Sequence, residues 1–284
     1  MCLCLYENII VTKPRSWIEH YKGISRMIEM HGPGHYQTII SAGTLRQPCF
    51  LAQSAWRNVI QLNEAESRDV FDTLLNIAVD VPGLLYGSDR FTDGQMSGTE
   101  LASLSITLQL AMRELEVWWR TSFSDASAAN DSSSIYSPLN ASAIAFHHMV
   151  LLLLEDLCYN LNVPWRPTSI LSPPATSLSN DASIMDMDIR AQRRHVVASE
   201  ILHLARCSIC PETGMYGALR FVMPLHVAHD YLIPASPETH DLHDLMNTVV
   251  AEQHGFHMAK RYDGQYTSFR ESLIIKIPLE SVDF

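Results

Sequence analysis

The residues able to do chemistry gather in the last third of the chain. "CSICPETGMYG" (207–217) holds Cys207 and Cys210 at the Cys-x-x-Cys spacing that supplies half of a structural zinc site. A second pair would have to come from His226 and His229, from His240 and His243, or from His203 one turn upstream. Against zinc, Cys207 ends the stripe Val197, Ile201, Leu204, where a small apolar core residue belongs. That reading is preferred, and neither metal nor cofactor is expected. A thioredoxin-like role needs a strand-to-helix setting that the pattern lacks.

"PLHVAHDYL" (224–232) is the other candidate. On a helix, Phe221, Leu225, Ala228 and Leu232 share one face. His229 lies at its edge, about 40° from Leu225, and His226 lies about 100° away. His226 and Asp230, four residues apart, can act as a general base with its orienting carboxylate, or stand as a solvated pair. No partner nucleophile is identifiable, so the solvated pair is favoured. The spacing places His229 substantially buried, His226 intermediate and Asp230 more exposed, on a helix lining any pocket. At His147-His148, helical spacing puts one ring in the core and the other outside. Glu155 and Asp156 diverge by about 100° and cannot share a proton. Nucleophile elbows, phosphate-binding glycine loops and His-Glu-x-x-His are absent from the sequence.

The elements that must position these residues are helical. Apolar positions recur at three- and four-residue steps in Trp17, Tyr21, Ile24, Ile28; in Val70, Leu74, Ile77, Val81, stopped by Pro82-Gly83; and in Leu101, Leu104, Leu108, Met112, Leu115, Trp119. Further helices are expected over 141–160, 189–209, 217–233 and 239–260. No alternating strand pattern is present. The fold class is therefore all-α, a single helical array over 1–284 with two Ser/Pro-rich mobile loops, about 121–140 and 163–184.

The net charge of −11 and the pI near 5.6 oppose autonomous binding to a phosphate backbone. Arg193-Arg194, with Arg190, is too small for a basic arm. The start "MCLCLYENIIVTKPR" lacks the pattern of a secretory signal. The aliphatic run "MVLLLL" (149–154) is far short of the roughly 20 residues of a membrane span. An intracellular place, nucleus or cytoplasm, with free thiols is expected and no membrane.

Five phrases in order resemble the C-terminal regulatory region of fungal zinc-cluster transcription factors. "WIEHYKGISRMIEMHGPGHY" (17–36) carries Trp17, His20, Gly23, Met27-Ile28 and His31-Gly32-Pro33. "CFLAQSAWRNV" (49–59), "LLNIAVDVPGLL" (74–85), "MRELEVWWR" (112–120) and "ETGMYGALRFVMPLHVAHDYL" (212–232) follow, so the match spans about 17–260. The family's six-cysteine DNA-binding cluster is missing, and His31 and His226 stand where the family usually has Arg. The resemblance implies an all-α regulator acting through other transcription-factor or protein subunits, or sensing an apolar effector, in control of a fungal metabolic gene cluster. His229, His226, Phe221 and Trp119 are then the ligand-binding candidates. The alternative is a cofactor-free cyclase, isomerase or dehydratase of secondary metabolism on the same scaffold, with His226, His229 and Asp230 as acid and base.

Overall fold

The computed structural model describes residues 46–53, 70–128, 138–164, 182–209 and 214–253. Within them the chain is helical and no strand occurs. The elements are a 3₁₀ turn at Phe50–Ala52, then α1 (Val70–Ala78), α2 (Val81–Thr92), α3 (Gly98–Ala128), α4 (Pro138–Asn160), α5 (Ala182–Ser208), α6 (Gly214–His229) and α7 (Pro237–Asp244). A π-helical segment, Leu245–Gln253, continues α7. The Trp17 helix, Cys210 and most of the 163–184 loop lie outside the described residues.

α4 is the axis of the array. Every residue from Ala141 to Val150 is buried, and a helix apolar on all sides must be enclosed by others. α5 and α6 pack on one part of it, and α1, α2 and α3 on the rest. Buried residues from Cys49 to Ala251 join into one hydrophobic cluster. Over Asn140–Asn160, α4 is long and apolar enough to cross a membrane, with mean hydropathy 1.4, yet 89% of that window is buried inside the protein. The short run at 149–154 therefore understates the helix, because Ala141 to Phe146 extend it toward the N-terminus. Enclosure by five neighbouring helices accounts for its composition.

Local chemistry sets the boundaries. Ser97 and Glu100 form a reciprocal capping box before α3: the Ser97 N–H donates to Glu100 Oε2 at 2.8 Å and the Glu100 N–H to Ser97 Oγ at 3.3 Å. Accepting from the Ser97 N–H and hydroxyl, with Arg90 beside it, holds the Glu100 carboxyl down to about 2. Ser236 caps α7, accepting from the Thr239 N–H, with Pro237 in the first turn. Pro82-Gly83 does the opposite of what was expected. The chain turns at Val79-Asp80, and Pro82 sits in the first turn of α2, where its missing N–H costs nothing. Gly87 lets α2 approach α3, since a Cβ there would come within 2.6 Å of Leu104 Cδ1. The first Ser-rich loop is shorter than its composition implies: α3 runs to Ala128 and α4 starts at Pro138.

Candidate functional site

α5, α6 and α7 meet where the chemistry-bearing residues lie. His229 is the last residue of α6 and His243 is near the end of α7. Their Nε2 atoms are 3.2 Å apart, and the rings lie within 17° of parallel with centroids 5.2 Å apart. Asp230 Oδ1 stands 3.8 Å from His229 Nδ1. Partial burial, with His229 and His240 nearby, lowers the His243 pKa below its ordinary value.

The expected exposure order is partly reversed. His226 is intermediate, as expected, but the Asp230 side chain is 5% exposed and that of His229 18%. The reason is local: α6 ends at His229, and Asp230 lies in the following turn, so the helical wheel no longer aims it. Its Oδ1 faces the ring of the adjacent His229, 3.8 Å from Nδ1.

An open groove of about 580 Å³ runs between α5 and α7. Ser199, Leu202, His203, Arg206 and Cys207 form one wall, and Glu238 and Asp241 the other. Arg206 pairs with Asp241 across it. Cys207 Sγ lies 3.8 Å from His203 Nε2, one helical turn away. Thus the groove is built on α5 and α7, and its lining includes no residue of α6. Phe221 and Trp119 are not in it either. Phe221 is 1% exposed in the core, and the Trp119 ring lies 4.7 Å from that of His147, tilted by 31°.

Cys207 is exposed, not a core residue. The stripe of Val197, Ile201 and Leu204 is completed by Ser208, which is 3% exposed. Steps of three and four both fit a helix, and the step to Cys207 points one position around to solvent. Among the described residues Cys49 and Cys158 are the buried thiols, both pushed up to about 11 by desolvation. Among the described residues no three His, Cys, Asp or Glu side chains gather as metal ligands.

Two further constellations escaped the pattern reading. Both rings of His147-His148 are buried, at 5% exposure each, because the α4 helix is enclosed on every side. His147 stacks on Trp118, meets Trp119 at a tilt and bonds to the Leu115 backbone. The second is a partly buried ion cluster. Glu155 meets Arg193 at 3.0 Å, Arg194 reaches Asp156 at 2.7 Å, and the Tyr231 hydroxyl donates to Asp156. Arg193-Arg194, too few for a nucleic-acid arm, are the counter-charges of the α4 carboxylates. Burial raises the Glu155 pKa despite those cations. Compared with models of known families, with curated proteins and with solved structures, the chain matches none.

Proposed function

We propose that this chain is a regulatory helical domain that senses a small effector and works through protein partners, as its resemblance to zinc-cluster regulators implies. The observation that carries the reading is the α5–α7 groove. Its volume suits a metabolite. Leu202, 4% exposed, lies in its lining, and Arg206 is held by an exposed ion pair with Asp241, with side chains 57% and 48% exposed. Such a pair contributes about 0–1 kcal/mol, so an anionic group can take Arg206 from Asp241 at little cost. The effector is then a mainly apolar metabolite with one anionic group, and its arrival loosens α7 from α5. Contact with DNA falls to other subunits, since an acidic chain is a poor partner for phosphates. The setting is the control of a metabolic gene cluster, in the nucleus or cytoplasm.

Metabolite extract passed over the immobilised full chain and analysed by mass spectrometry tests this. A compound retained by the wild type and lost with Ser199→Trp, which fills the groove from its partly exposed wall, is the expected result. Retention of nothing, or equal retention by both, refutes the reading.

Catalysis is the second reading, favoured by one observation: the Cys207 thiol and the His203 imidazole stand 3.8 Å apart in the groove wall, a nucleophile beside a base. If the captured compound is turned over, Cys207→Ser and His203→Ala should stop turnover, whereas a sensor leaves the compound unchanged.

A further inference from the structure

We propose that His229 and His243 form a two-imidazole site for a divalent transition-metal ion of zinc or copper type, which ties the end of α6 to α7. In a tetrahedral site with metal–nitrogen bonds of roughly 2.0–2.1 Å, neighbouring ligand nitrogens are about 3.3–3.4 Å apart. The two Nε2 atoms are 3.2 Å apart, so they span one edge of such a polyhedron with little adjustment.

The surroundings fit the same role. Metal-bound imidazoles commonly turn their second nitrogen toward a carboxylate that fixes ring orientation. Asp230, with its side chain 5% exposed, presents Oδ1 3.8 Å from His229 Nδ1. Its charge favours the tautomer with hydrogen on Nδ1, leaving the His229 Nε2 lone pair toward His243. Without metal, one Nε2–H donates to the other ring. When metal binds, that hydrogen moves through solvent to Nδ1 of the same ring and both lone pairs are engaged, with no net proton released. Imidazole nitrogens select zinc, copper or nickel over magnesium and calcium, which take oxygen. Water completes the coordination, because the His229 side chain keeps 18% of its surface accessible. The ligands are 14 residues apart on two elements, so the ion acts as a cross-link.

The test is calorimetric titration of the metal-free full chain with zinc chloride, and separately copper chloride, at neutral pH, with thermal unfolding recorded in parallel. A single ion per chain and a raised Tm are expected. Both effects should vanish in His229→Ala and His243→Ala, and should persist in His226→Ala and in the Cys207→Ser, Cys210→Ser double variant. Asp230→Asn should weaken binding about tenfold or more while leaving the stoichiometry unchanged. His229→Gln and His243→Gln, checked by circular dichroism, serve if the alanine variants lose helicity. No binding to the wild type, undiminished binding to both histidine variants, or loss in the cysteine variant overturns the proposal.

Discussion

His147 and His148 meet Nδ1 to Nδ1 at 3.2 Å, and His229 and His243 meet Nε2 to Nε2 at the same separation. Their surroundings differ in two ways. The first pair is sealed inside α4 beneath Trp118 and Trp119, and desolvation drives the His147 pKa well below the ordinary imidazole value and that of His148 down to about 4. The second pair joins two helix ends at the protein's edge and has a carboxylate beside it. An imidazole pair is available to a ligand only where solvent can reach it. The sealed pair belongs to the packed core, and the edge pair is the one a ligand can reach.

The contrast breaks most visibly if the seal is removed. Trp118 is 3% exposed, and its Nε1–H donates to the Val70 carbonyl at 3.1 Å. Trp118→Ala should cost about 3–5 kcal/mol in urea unfolding and expose the His147 ring to titration. A cost below about 1 kcal/mol would mean that the cluster is not a packed core.

Acid sharpens the same comparison. Unfolded, His148 takes a proton near its ordinary 6.5; folded, it resists until about 4. The unfolded chain therefore binds more protons across that window, and stability present above pH 6.5 is lost as the pH falls toward 4. The loss from this one group is about 3 kcal/mol at pH 4. Glu155, with its pKa raised, works in the opposite sense, gaining stability when protonated. The difference between wild type and His148→Gln unfolding at each pH isolates the histidine, and a flat difference would contradict its burial as a neutral ring.

The edge pair should matter far less to stability. His243→Ala, in metal-free buffer, should change unfolding by about 1 kcal/mol or less, since the ring is only partly buried. A loss as large as that of Trp118→Ala would make this pair structural too.

Much of this division was beyond the reach of the sequence. Periodicity located Leu108, Met112 and Leu115 in the core, because a helix repeats its faces whatever packs against it. It could not choose between Cys207 and Ser208, since both steps are helical. Nor could it tell that both His147 and His148 are buried, which requires partners on all sides of α4. Arg193-Arg194 with Glu155 and Asp156, and His229 with His243, are contacts between elements, invisible to a pattern read along one helix. Proline chemistry was legible in kind but not in direction: Pro82 marks a boundary, and only the structure shows a helix beginning there. The groove needed two elements brought side by side, so its lining was not to be found in the α6 stripe.

The smallest stability effect belongs to the groove itself. Arg206→Ala removes an exposed ion pair and should alter unfolding by about 0–1 kcal/mol, yet it should sharply weaken retention of the effector. Equal retention by wild type and variant would remove Arg206 from recognition.

The most direct measurement is amide hydrogen exchange on the full chain, with and without the captured compound. If the α5–α7 groove senses it, amides of 199–207 should gain protection on binding and those of 237–244 should change with them, while α3 and α4 around Trp118 and His147 stay as they were. Protection confined to α3 and α4, or to α6 around Phe221, would contradict a groove-based sensor and place recognition elsewhere in the fold.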